Sequence, residues 1–279
     1  MNKNQAISFL SFNTMGLFSL DSFRGFFNSV NARIRQKKIA ELLYKDDSDI
    51  IALQEVHTFQ FLKLLKSTLK SHPYVAYKPL LYGPRGSLVI FSKIPFTDIE
   101  YIDFKDRGSI FNTSIVAILR RSGMLKIKIE NQNIYIINVH LTQNGDYIWN
   151  DKSKFYQYIK SQQDQVIRKS KDILGEDSQA QIISLGDFNT DKKSNLYKNF
   201  LKSSNFSDVF AEKSTPSMHQ DFLPDKKQVR RIDYVFFYNQ LNKPKIIAKS
   251  ELFKEKYLLK RSKMRYLSDH IGLKAVIEF

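Results

Sequence analysis

The sequence predicts an α/β sandwich of about a dozen strands, and three observations carry that prediction. The chain has 279 residues and 42% hydrophobic content, enough for one large core. Helical spacing leads, strand patterns fill the middle, and strands return at the end. Several strands also end in polar residues: Asn13, Glu55, His140, Asp187, and the late pair Asp233 with Asp269-His270. No long Pro/Gly/Ser linker, low-complexity block or repeat divides the chain, so one domain over residues 1–279 is expected.

The elements follow in order. Ala6 to Phe12 alternates as a first strand ending at Asn13. Val30 to Tyr44 reads as a helix, with Val30, Ile34, Leu42 and Leu43 at helical spacing and Arg35, Lys37 and Lys38 expected to face away. Asp49-Ile50-Ile51-Ala52-Leu53 reads as a buried strand delivering Gln54 and Glu55, and a helix from Phe59 to Lys70 stops before Pro73. Strands are then predicted at Tyr74–Tyr77, Ser87–Phe91, Ile99–Phe104, Ser114–Leu119, Met124–Ile129 and Ile134–Val139, with turns at residues 83–86 and 130–133. A polar helix from about Ser153 to Leu174 precedes the strand through Ile182 and Ile183. A short helix around Leu196–Ser203 and strands at Ile232–Phe237, Ile246–Lys249 and Leu273–Ile277 complete the chain. Periodicity alone does not divide these strands into two sheets.

Composition excludes some chemistries. With no cysteine, disulfides and thiolate metal sites are ruled out. No apolar run reaches the roughly 18–20 residues of a membrane span. The N-terminal apolar patch is short and interrupted by Asn13 and Asp21, so it is no secretion signal as it stands. A soluble monomer is expected, and the compartment stays open. The net charge of +16 concentrates anionic partners, either phosphate backbones or acidic membrane surfaces, though a Lys-rich proteome also explains it.

The stretch Ser184-Leu185-Gly186-Asp187-Phe188-Asn189-Thr190 is the most informative. A glycine turn at a strand end presents an acid, an amide and a hydroxyl together. Cleaving a phosphate ester needs a cation on a non-bridging oxygen, an activated water in line and stabilisation of the departing oxygen. Glu55, at the end of a buried strand, is a hard-oxygen ligand suited to Mg²⁺, with Mn²⁺ as a substitute. Asn13 offers an amide oxygen to the same ion or a hydrogen bond to phosphate.

Six segments resemble the endonuclease/exonuclease/phosphatase superfamily and occur in its order over residues 11 to 270. They are Ser11-Phe12-Asn13-Thr14, Ala52-Leu53-Gln54-Glu55-Val56, Asn138-Val139-His140-Leu141, Gly186-Asp187-Phe188-Asn189, Arg231-Ile232-Asp233-Tyr234-Val235 and Ser268-Asp269-His270. The resemblance implies a four-layer α/β/β/α sandwich with two packed mixed sheets and a metal-dependent phosphodiesterase site between the sheet ends. It implies His270 as general base or phosphate-oxygen donor with Asp233 orienting it, and Asp269 on the metal side. It places Asp187 and Asn189 on the water and the phosphate, and it leaves the base open between Asp187 and His270. His140 would donate to phosphate or protonate the leaving oxygen. The DNase-like, inositol-phosphatase-like and sphingomyelinase-like branches carry His there, and the abasic-site repair branch does not.

Within the superfamily, residues 86–95, 121–125 and 229–235 resemble the neutral sphingomyelinase-like branch. One departure is Ser122-Gly123, where that branch often has Lys-Gly. Residues 16–27 carry Phe18, Phe23, Phe26 and Phe27 beside the expected cleft, and Trp149 follows His140. Exposed, these aromatics beside cationic residues would contact a membrane surface; turned inward, they are core. The basic run Lys254, Lys256, Lys260, Arg261, Lys263, Arg265 would serve nucleic acid in a DNase-like endonuclease, or anionic lipid equally well. Phosphoinositide phosphatase activity is a lesser variant. A non-catalytic binder is disfavoured, because every expected catalytic residue type is present.

Overall fold

The central strands of both sheets are buried along both faces, and a strand with two buried faces needs a cover on each side. The strand Ile50–Gln54 is buried at every position, as are Val89–Ser92 and Asp233–Tyr238. The computed structural model describes residues 6–16, 29–106, 122–144, 148, 150–213, 215–222, 229–238, 244–260 and 263–279. The first part runs β1 (Ala6–Asn13), α1 (Ser29–Asp46), β2 (Ile50–Gln54), α2 (Phe59–Thr68), β3 (Tyr74–Ala76), the short pair β4 (Pro79–Leu80) and β5 (Gly83–Pro84), β6 (Val89–Ser92) and β7 (Phe96–Asp103). The second runs β8 (Gly123–Ile129), β9 (Ile134–His140), α3 (Tyr156–Glu176), β10 (Gln181–Asp187), α4 (Asn195–Ser203), β11 (Phe206–Asp208), β12 (Asp233–Tyr238), β13 (Lys245–Leu252), β14 (Tyr257–Lys260), β15 (Lys263–Arg265) and β16 (Gly272–Glu278).

Two six-stranded mixed sheets form, in the orders β13-β16-β1-β2-β6-β3 and β11-β12-β10-β9-β8-β7. Their inner faces meet in one core, where Ile7, Phe9 and Ala52 of the first sheet pack with Ile136, Leu185 and Val235 of the second. Helices α1 and α2 cover the outer face of the first sheet, Ile39, Leu43 and Leu65 lying on Leu10, Leu53 and Phe91. Helices α3 and α4 cover the second, Ile159, Val166 and Phe200 lying on Val139, Ile182 and Phe236. The result is the α/β/β/α sandwich. Thr58 and Ser194 start α2 and α4 by accepting N–H bonds from Phe61 and Tyr197.

Some elements differ from the sequence reading. Short strands escaped it: β11, the β4–β5 pair and the β14–β15 hairpin, each too brief to show a period. Residues 257–260 and 263–265 of the basic run therefore pair as antiparallel strands, and Arg261 lies outside the described residues. The strand expected at Ser114–Leu119 lies outside the described residues. Arg35 does not face away from the fold. Its guanidinium donates to the carbonyls of Thr14, Met15 and Leu267 at 2.8, 2.5 and 2.8 Å. The three carbonyl oxygens satisfy N–H groups of a guanidinium that burial cuts off from water, a cost the nearby Asp269 and Glu55 carboxylates offset in part. No described helix is long and apolar enough to cross a membrane.

Candidate active site

Strand parity explains how the polar residues meet. Ile7 and Phe9 face the inter-sheet core, and the same face of β1 continues through Ser11 to Asn13. The equivalent rows are Ile134, Ile136, Asn138 and His140 on β9, Ile183, Leu185 and Asp187 on β10, and Asp233, Val235 and Phe237 on β12. Each row is apolar in the middle and polar at one end, and register aligns those ends. Asp187 lies opposite His140 on β9 and opposite Asp233 on β12, and Asn13 lies opposite Gln54 on β2. Beneath them a polar layer joins the sheets. Gln54 Nε2 donates to Asn138 Oδ1 at 2.8 Å, and Asn138 Nδ2 donates to the carbonyls of Leu53 and Val89 at 3.0 and 3.2 Å.

Asp187 is the centre of the cluster. Asn13 Nδ2 donates to its Oδ2 at 3.1 Å, and His140 Nε2 and His270 Nε2 lie 3.5 and 3.8 Å from the same oxygen. Its Oδ1 accepts from Asn189 N at 2.9 Å, while Asn189 Nδ2 donates to the Leu141 carbonyl at 2.9 Å. Gly186 makes this approach feasible, with φ at +139° and room only for hydrogen, since a Cβ would sit 2.0 Å from the Val139 carbonyl. Burial pushes the Asp187 carboxyl well above the ordinary carboxylate range, Asp233 adding to the shift and His270 opposing it.

His270 Nδ1 bonds Asp233 Oδ2 at 2.7 Å, with both side chains at most 5% exposed. Burial alone would lower the imidazole's proton affinity. The carboxylates of Asp233, Asp269 and Asp187 outweigh it and raise His270 well above its usual value. The Ser268-Asp269-His270 turn is pinned by Ser268 Oγ, which donates to the Asn13 carbonyl at 2.7 Å and accepts from His270 N at 3.1 Å. Asp233 is placed by Ser217 Oγ, which accepts from its backbone N–H at 3.1 Å. Asp269 Oδ1 stands 3.8 Å from His270 Nε2.

Glu55 closes the cleft from the first sheet. Its Oε1 lies 3.5 Å from Asn13 Nδ2 and 3.9 Å from His140 Nε2, and its Oε2 lies 3.2 Å from His57 Nε2. Its φ is +61°, and Asn189 and Met15 also have positive φ, at 45° and 46°. Such conformations cost non-glycine residues energy and cluster at functional sites. Asn13 Oδ1 accepts from Met15 N at 3.0 Å, so the amide turns its NH₂ to the acids.

The donor set fits a hard divalent cation. Glu55, Asp187, Asp233 and Asp269 share one cleft, Glu55 and Asp269 repel each other, and no thiolate is present. An acidic hollow that must accept an anion needs a cation between them. Glu55 and Asp269 are the partly exposed carboxylates, at 20% and 30% against 2–3% for Asp187 and Asp233, and could hold it. The oxygens and nitrogens of Asp187, Asp233 and His270 also lie within 4.8 Å of one another, but there the imidazole Nδ1 is already engaged by Asp233.

All eight expected polar residues lie in this one region. Phe18, Phe23, Phe26, Phe27 and Trp149 lie outside the described residues. Sequence reasoning passed over His57, Ser217 and Asn138, and it turned Arg35 outward by helical spacing, where the structure turns it inward. Asn138 shares the parity of His140 on the same strand. His57 and Ser217 act from loops, where spacing carries no signal.

The model of the Endonuclease/Exonuclease/phosphatase family matches residues 10–270. No curated protein matches the chain in sequence. Among solved structures, a beta toxin from Staphylococcus aureus superposes with a TM-score of 0.72 at 18% identity, over 96% of this chain and 99% of that one. Sphingomyelinase C from Streptomyces griseocarneus gives 0.70 at 16%, over 98% and 99%. D. rerio TDP2 complexed with a single-strand DNA product gives 0.70 at 17%, over 99% and 100%. Enzymes of this family generally use a divalent metal.

Proposed function

Because the chain belongs to the endonuclease/exonuclease/phosphatase family and is a phosphodiesterase hydrolase, we propose that it is a Mg²⁺-dependent, sphingomyelinase-like phospholipid headgroup hydrolase. The supporting observation is the apolar surface beside the site. In the β14–β15 hairpin, Leu258 and Met264 are cross-strand partners and stand 63% and 55% exposed. Tyr257 and Leu259, the alternate residues, turn in toward the α1–α2 side of the first sheet. The hairpin runs into Leu267-Ser268-Asp269-His270. A second apolar tip, Leu81 and Tyr82, is 84% and 82% exposed, and Tyr82's carbonyl accepts from Phe59 N at 3.0 Å, close behind Glu55 and His57. An exposed apolar hairpin that carries Arg265, with Lys256 held by Asp221 at its base, suits a lipid interface better than a phosphate-binding groove. The basic run is thus interrupted by outward-facing apolar residues. The similar structures include sphingomyelinases and a DNA-bound TDP2 at comparable TM-scores, so the hairpin carries the choice.

When bound at Glu55 and Asp269, with Asn13 beside them, Mg²⁺ (or Mn²⁺ in its place) would supply charge to a non-bridging phosphate oxygen. The chain's own groups do the rest. Asp187 is the buried carboxylate with raised proton affinity, and it takes the proton of the attacking water. His270, kept charged by Asp233, donates from Nε2 to a phosphate oxygen. Asn13 Nδ2 and His140 Nε2 both face Asp187 Oδ2 in the cleft, and His140 donates to the leaving oxygen. Asn189 fixes the Asp187 carboxylate by its backbone N–H.

The test is parallel incubation of the protein with Mg²⁺ on sphingomyelin-containing vesicles and on supercoiled plasmid, with Asp187→Ala as control. Choline-phosphate release absent from the control supports the reading. Plasmid nicking without choline-phosphate release removes the lipid assignment in favour of a nuclease. A Leu258→Glu/Met264→Glu variant should lose activity on vesicles and keep it on a water-soluble phosphodiester.

A further inference from the structure

We propose that His57 is a positioning residue that holds Glu55 in the geometry a cation requires, with Ser87 setting its tautomer. The inference rests on the reading of Glu55 as a ligand to the divalent ion. His57 Nε2 lies 3.2 Å from Glu55 Oε2, and His57 Nδ1 lies 2.6 Å from Ser87 Oγ. A neutral imidazole satisfies both contacts: the Ser87 hydroxyl donates to Nδ1, and Nε2–H donates to the carboxylate. The ring is 4% exposed, and both of its nitrogens are turned to Ser87 and Glu55.

The consequence is a division of labour within Glu55. Oε2 is tied back to the ring. Oε1 remains on the cleft side, toward Asn13 Nδ2 and His140 Nε2. The geometry therefore presents one oxygen, as a monodentate ligand. A small cation that keeps several waters is best served by such a ligand.

The backbone around the relay is unusual at each point. Glu55 and Ser87 have φ of 61° and 59°, although neither is glycine. Val56 N donates to the Ser87 carbonyl at 3.0 Å, which ties the two turns together. Gly16 closes over the pair: a Cβ there would lie 1.7 Å from the Glu55 carbonyl and 3.1 Å from His57 Cδ2. Gly83 approaches from behind, where a Cβ would lie 2.2 Å from the His57 carbonyl. Three separate chain segments thus meet to hold one imidazole against one carboxylate, and conformations of this kind persist where surrounding structure enforces them.

The test is calorimetric titration of Mg²⁺ into the full-length wild type and into His57→Phe, His57→Gln, Ser87→Ala and Glu55→Gln, with melting temperatures in EDTA as the fold control. His57→Phe should weaken Mg²⁺ binding about 10- to 100-fold. His57→Gln keeps an N–H for Glu55 and should recover most of that loss. Ser87→Ala should fall between them, and it keeps the test open if His57→Phe does not fold. Wild-type affinity in both His57→Phe and Ser87→Ala overturns the relay alone. A His57→Gln variant as weak as His57→Phe overturns the positioning role in favour of packing. Wild-type protein that takes up no Mg²⁺, or a Glu55→Gln variant that binds it normally, overturns the metal reading and the relay with it.

Discussion

Replacing Asp233 by Asn removes one charge from a buried pair while keeping its shape. Asp233 Oδ2 sits 2.7 Å from His270 Nδ1, and the side chains are 3% and 5% exposed, so solvent screens little of the interaction. Exchanging a charge-assisted hydrogen bond, worth about 1.5–3 kcal/mol, for a neutral one, worth about 0.5–1.5 kcal/mol, costs about 1–1.5 kcal/mol. Asp233 Oδ1 is buried without a hydrogen-bond partner, so the incoming amide NH₂ gains nothing in compensation. Applied to a charged transition-state donor, that loss is about 5- to 13-fold in kcat/KM. It also lowers the proton affinity of His270, because the Asp233 carboxylate is one of the charges that raise it. The assay is kcat/KM against pH on a soluble phosphodiester with saturating Mg²⁺, where the alkaline limb should move to lower pH. Stability must follow the same sign. His270's raised folded-state affinity stabilises the wild type fully below the unfolded imidazole value, about 6.5, and this is lost as pH rises through the folded value. Denaturant unfolding should therefore show the wild type ahead at pH 6, with the gap closing in alkali. An unshifted profile with wild-type turnover would refute the pairing argument.

Three further outcomes are expected. Gly16→Ala places a methyl 1.7 Å from the Glu55 carbonyl, so the turn must move; melting temperature should fall and activity with it, and an unchanged pair of values would contradict the packing described. Asn138→Leu leaves the carbonyls of Leu53 and Val89 and the amide of Gln54 without their partner between the sheets, and should cost at least about 2 kcal/mol in denaturant unfolding. Excess EDTA should abolish hydrolysis and added Mg²⁺ restore it; full turnover in chelator would remove the ion from the mechanism.

Much of the site was legible because each polar residue stands at the end of an apolar strand. Asn13, His140, Asp187 and Asp233 all do so, which marks their position, whereas on strands buried along both faces only the fold decides which face they take. The helices and long strands were legible because period is a local property. Partition of the strands into two sheets is not local. Nothing in the spacing says that β1 pairs with β16 across the whole chain or that β9 and β10 run parallel. Only the folded chain decides that Arg35 turns onto three carbonyls, that His57 backs Glu55, and that a run of lysines becomes a hairpin with Leu258 and Met264 outward. These depend on which loops lie against which. Loop contacts are set by packing between residues far apart in sequence, where no repeating pattern can record them.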